Sequence, residues 1–257
     1  MARQLLSLEI LLIALVGSAC APVAKAPYNT LRISEQEFKS KIKTIALAAV
    51  VISRDIEKPD QVTTKFESLL AAKLRDAGFS VVPSRESEEI RERMTRQMIG
   101  YFDPRTEELM DEAKFKTVRE HILRELSVKF KVDAVLHPSI RLFKAPWSLG
   151  TANWHGTSES IKPGWMQFFD ALTNVSSSGS VGALSLVVDV EDIHGTRLYS
   201  NAGGIQVLSK ISAEGKSVPV PQSELLTNDE RNVMAVDIAL GALIGKPVFT
   251  ETRTIMK

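Results

Sequence analysis

The chain has 257 residues, with 32 Lys and Arg against 31 Asp and Glu, and a hydrophobic content of 44%. A net charge of +1 offers no basic stripe of the kind that marks a nucleic-acid binder, and the single cysteine excludes an internal disulfide. The apolar content supports a real core and argues against a disordered chain.

The N-terminus comes first. Met1-Ala2-Arg3 leads into an apolar stretch whose clearest run is Ile10 to Val16, followed by Gly17-Ser18-Ala19 and Cys20. A basic start, a short apolar run and a small-residue exit are the three parts of an export signal, although Glu9 is out of pattern. The run is too short to span a bilayer, which takes roughly 20 residues. Gly17-Ser18-Ala19-Cys20 resembles the bacterial lipobox, whose cysteine is lipidated and becomes the new N-terminus; Gly17 departs from the usual aliphatic residue. The resemblance implies a signal peptide over 1–19, acyl chains on Cys20 and attachment to a membrane. Ala21, where an Asp would retain the chain at the inner membrane, implies the outer membrane and a domain facing the periplasm. Ala19-Cys20-Ala21 also fits the A-x-A site of the general signal peptidase, and a cut there would discard the cysteine. Residues 20–40, with Pro22 and Pro27, read as a tether. Residues 41–250 read as a single domain.

Within that domain, strand and helix signals alternate. Ile42 to Ile52 is a nearly continuous apolar run, expected to be a strand buried on both faces. A helix is expected over 61–77, with Phe66, Leu70 and Leu74 on one face and Gly78 as its stop. Phe79 to Pro83 reads as a short strand, and 84–100 as a charged helix. Residues 112–131 form a helix with a buried stripe of Phe115, Val118, Ile122, Leu126 and Phe130. Asp133 to Ile140 reads as a third strand, where Pro138 argues for an edge or a bulge. Leu184 to Ile193 alternates apolar with more polar residues, as an antiparallel strand does, and His194-Gly195 turns it into a return strand. The last helix opens at Thr227-Asn228-Asp229-Glu230, a capping-box pattern, and ends at Gly245. The expected fold is α/β, a mixed sheet flanked by helices with one long insertion over 144–180.

That insertion holds Trp147, Trp154 and Trp165, with Phe168 and Phe169 close by. Aromatic residues gathered in a long connection can form a partner-binding surface, where Trp is enriched. The competing reading is a segment folded back over the sheet and anchored by its own aromatics. Long connections are usually functional or disordered, so these five residues are the candidate binding set.

No catalytic constellation stands out. His121, His137, His155 and His194 have no ligand spacing, and Asp189, Glu191 and Asp192 read as a solvated hairpin end rather than a cation site. Gly241 to Pro247 only faintly resembles a phosphate loop: one residue is missing between its glycines, Pro247 replaces the hydroxyl residue, and it follows a helix. Ser177 to Gly182 precedes a strand and fails the dinucleotide pattern. No G-x-S-x-G elbow is present. No metal, cofactor or catalytic residue is assigned.

The order of elements resembles a group of bacterial envelope lipoproteins that contains CsgG, LpoB and the N-terminal domain of TolB. The matching pieces are Ile42 to Ile52, Leu74 to Val82, Val132 to Ile140 and Val188 to Tyr199. The resemblance implies a non-catalytic domain that binds partner proteins in the envelope. A homo-oligomer is a separate expectation. The alternative is a secreted envelope hydrolase acting on a glycan.

Overall fold

The computed structural model describes residues 31–53, 56, 59–97, 102–103, 108–109, 111–173 and 177–245. Cys20 and the expected signal peptide lie outside the described residues. The chain opens with α1 (Glu35–Lys41), β1 (Thr44–Leu47) and β2 (Val51–Ile52), then α2 (Pro59–Asp76), β3 (Ser80–Val82) and α3 (Ser84–Gln97). A two-stranded pair, β4 (Phe102–Asp103) and β5 (Glu108–Leu109), precedes α4 (Glu112–Phe130). Next come β6 (Ala134–Ser148), β7 (Thr151–Trp154), β8 (Thr157–Ser160), α5 (Gly164–Thr173) and β9 (Ser178–Asp192). The chain closes with β10 (Arg197–Val207), β11 (Ser209–Ile211), β12 (Ser217–Pro219) and α6 (Asp229–Leu240).

The main sheet runs in the order β10-β9-β6-β1-β3. β1 is parallel to both β3 and β6, whereas β6, β9 and β10 are antiparallel, so the sheet is mixed and the fold is α/β as expected. β1 is buried on both faces. Ile45 and Leu47 enter a large core with Phe38, Phe66, Leu70 and Leu74 from α1 and α2, and with Val236 and Leu240 from α6. Ala46 faces the other way, into a smaller core with Ile90 of α3 and Leu123 and Leu126 of α4.

Local chemistry explains the helix ends. The Asp111 carboxylate accepts the Lys114 N–H at the start of α4, and Lys131 ends that helix in the left-handed region at φ 57°. α6 is capped by Asn228, whose side chain accepts the Arg231 N–H at 3.0 Å, so the cap falls one residue after the start of the expected motif. Gly78, at φ +93°, follows α2 in the position that favours glycine.

Three expectations are corrected. Residues 35–41 are a helix, not tether: Ser34 caps α1, and Phe38 is buried against Phe79 with ring centroids 6.1 Å apart. Pro138 lies inside the sheet, opposite Val188 of β9. It is tolerated because β1 pairs β6 through Leu136 and β2 resumes at Ser139, so on that side it falls at the interruption. The 144–180 segment is not a loop inserted between strands. β6 and β9 pair without interruption from Ala134↔Asp192 to Ser148↔Ser178, and the tryptophan-rich stretch is the far half of this long pair plus β7, β8 and α5.

The far half of the sheet rolls over. β7 pairs with β6 and β8 with β7, and the turn between β7 and β8 reaches β10, where the Gly204 N–H donates to the His155 carbonyl at 3.1 Å. Trp154, Ala145, Ala152, Ala183 and Val207 fill the space inside the roll. β10 is therefore held from both sides. On one face, a Cβ at Gly203 would lie 2.0 Å from the Ala235 carbonyl oxygen of α6; on the other, a Cβ at Gly204 would lie 2.7 Å from Thr157 Cβ. Gly203→Ala is expected to lower the unfolding free energy by about 3 kcal/mol, since backbone rather than a yielding side chain blocks the methyl; urea denaturation measures it.

Candidate functional site

The five aromatic residues singled out in the sequence do not form one surface. Trp147 lies in β6, over Gly179 of β9, with the Lys162 ammonium 5.4 Å from its ring centroid. Trp154 is buried inside the roll and its indole N–H donates to the Leu184 carbonyl at 3.3 Å. Both are part of the packed far core. Trp165 and Phe168 are on α5 with Leu172, at spacings of three and four residues, and are 54%, 63% and 64% exposed in that order. This spacing puts all three on one side of the helix. Phe169 is on the same helix, and its side chain lies outside the described set.

α5 is fixed by its other side. Gln167 rests on Gly150, where a Cβ would come within 2.8 Å of Gln167 Cγ, and the Gln167 amide donates to the Lys162 carbonyl at 3.0 Å. Lys162 in turn donates to Ser177 Oγ at 2.6 Å. The two tight turns beneath have positive φ at both central residues, Leu149-Gly150 (48° and 79°) and His155-Gly156 (41° and 73°), as two-residue type I′ hairpins require. Glu159 of β8, although only 6% exposed, is satisfied: it accepts the Val207 N–H at 2.9 Å and Arg231 of α6 at 2.6 Å. The segment thus acts as a cover for the sheet and, through α5, as a display of apolar side chains.

A second feature was not anticipated. A cleft of about 740 Å³ opens between α3, α4 and the near end of β6, β9 and β10. Phe115, expected to be buried, is exposed and lines it. Two of the three acidic residues read as a solvated hairpin end, Asp189 and Glu191, line it. Glu191 is buried; it pairs with Arg119 of α4, and its Oε1 lies 2.8 Å from His137 Nε2. Asp189 faces Arg197 at 3.6 Å. Asp192 does close the turn, accepting the His194 and Thr196 N–H groups at 2.9 and 2.8 Å. The signal was faint because the partners are remote: Arg119 and Glu191 are 72 residues apart.

Both histidines near this face favour the neutral form. Partial burial, then the Arg119 charge, lowers the His137 imidazole to about 4, against an upward pull from Asp189. Burial alone lowers His155 to about 4; its Nδ1 lies 2.7 Å from Ser185 Oγ, and its ring packs edge-on against Phe143.

No family model and no curated protein matches the chain. Among solved structures, it is similar to a PelC dodecamer from Paraburkholderia phytofirmans at a TM-score of 0.35 and 11% identity, over 84% of this chain and 92% of that one. A second PelC dodecamer from the same organism gives the same score and identity over 79% and 90%.

His155 makes stability depend on pH. His155 is buried, so the unfolded chain takes up a proton near pH 6.5 that the folded chain declines until about pH 4. Stability is therefore full above pH 6.5 and falls as the pH drops towards 4, by on the order of 3 kcal/mol for this group. His155→Asn, which tolerates positive φ, is expected to remove most of that loss in denaturant titrations at pH 7 and pH 4.5.

Proposed function

We propose that this chain is a lipid-anchored, non-catalytic protein-binding module of the bacterial cell envelope, held at the outer membrane through Cys20 and facing the periplasm. The observation that carries the binding role is the α5 face of Trp165, Phe168 and Leu172, three large apolar side chains more than half exposed on one helix side. Large aromatic side chains at the surface of a fixed element are what interface hot spots are made of. The first described residues lie at the other end of the sheet, where the Arg32 N–H donates to the Leu198 carbonyl at 3.0 Å. That placement supports a protein rather than the anchoring bilayer as what α5 meets.

The hydrolase alternative asks for a carboxylic acid that keeps its proton near neutral pH. In the cleft, Glu191 is paired with Arg119 and Asp189 faces Arg197, so neither carboxylate stands apart from a guanidinium. This supports binding over acid catalysis.

One experiment tests both parts of the reading. With a photo-cross-linking amino acid at position 168 in intact cells, the chain is expected to give a discrete protein adduct in the membrane fraction. Trp165→Ser with Leu172→Ser should abolish the adduct at unchanged unfolding midpoint, and Cys20→Ala should move the chain to the soluble fraction. An adduct with a second copy of the chain would make the partner a homo-oligomer. An adduct indifferent to the serine substitutions would refute the α5 face, and a Cys20→Ala chain still in the membrane fraction would refute the anchor.

A further inference from the structure

The cleft beside α4 is separate from the α5 face, with roughly 35 Å of strand between Ser178 and Asp189. Its charges leave a remainder. Three carboxylates line it and each has an arginine: Glu191 with Arg119, Asp189 with Arg197, and Glu88 with Arg91, whose Nε lies 2.8 Å from Glu88 Oε2. A fourth guanidinium, Arg32, also lines the cleft and has no side-chain partner among the described residues. Its backbone is pinned to β10 by the bond to Leu198, which anchors the residue beside the cleft.

The opposite wall is apolar. Phe115, Val118 and Ile122 of α4 face the cleft, and Phe115 keeps 43% of its surface exposed. Within the lining, Ser87 of α3 is only 6% exposed, yet its hydroxyl has no hydrogen-bond partner among the described residues. Buried hydroxyls are nearly always satisfied, so a missing acceptor is itself an observation. Asp189 Oδ1, also buried without a hydrogen bond among the described residues, repels an anion from that part of the cleft and so favours a head group at Arg32.

We infer that this cleft is a binding site for a small amphipathic monoanion, a carboxylate whose head pairs with Arg32 and whose hydrocarbon body lies on Phe115 and Val118. A volume of about 740 Å³ is within the range of small-molecule sites, roughly 300–1,000 Å³. One surplus guanidinium matches one carboxylate.

Calorimetric titration of the full chain with octanoate, octanamide and inorganic phosphate tests this. Octanoate is expected to bind saturably at one site, octanamide at least tenfold more weakly, and phosphate not measurably. Arg32→Gln should weaken octanoate about tenfold and leave octanamide unchanged, whereas Phe115→Ser should weaken both. Both positions are exposed, and equal unfolding midpoints confirm intact variants. Absence of saturable octanoate binding, equal affinity for octanamide or phosphate, or indifference to Arg32→Gln would overturn the assignment.

Discussion

The fold depends on how closely β10 is approached from its two faces. Gly203 lies against the α6 backbone at Ala235 and Gly204 lies against Thr157 and Trp154, so one Gly-Gly step is the contact point of helix, sheet and rolled hairpin. Any side chain there would push one layer away. The residues around the step then supply what glycine cannot. Tyr199 donates to the Ala239 carbonyl at 2.8 Å, and the Asn201 amide donates to the Ile238 carbonyl at 2.8 Å and to the Tyr199 oxygen at 3.0 Å. These are carbonyls of the last turn of α6, which no helical N–H satisfies. The polar side chains of β10 thus terminate the helix that its glycines admit.

The same contact organises the far half of the molecule. Gln206 accepts the Leu226 N–H at 2.8 Å, holding that residue at positive φ, and Asn232 donates to the Leu226 carbonyl. Glu159 bridges β8 to β10 and to Arg231 of α6. A buried ion pair contributes little net stability, but removing one partner is costly, so such a pair favours one arrangement over others. The result is a fixed platform with α5 at one end and the arginine-lined cleft at the other.

The sequence was legible where a signal is local. The double burial of β1 follows from a nearly continuous apolar run, although the structure splits the expected 42–52 strand into β1 and β2 and leaves Val51 exposed, and α2, α4 and α6 follow from spacing and caps. The region 144–180 resisted the same reading for two physical reasons. Its strands β6 and β9 have 15 residues each, well beyond the usual five or six, so their second halves read as a connection. Its tight turns place Leu149 and His155 at positive φ, where Asn or Asp would have announced a hairpin. Tryptophan count was a poor guide to exposure, since Trp154 fills the roll while Trp165 is on the surface. The cleft was illegible because each of its charges acquires meaning only from a partner on another element.

Hydrogen exchange followed residue by residue tests the central claim, that β10 is locked between α6 and the β7–β8 hairpin. The amides of Gly204, Val207 and Ile211, which donate to His155, Glu159 and Ile161, should exchange with the same free energy as those in the middle of α6, through a single opening. If these three exchanged orders of magnitude faster than α6, the hairpin would open independently and the account of a two-sided clamp would be wrong.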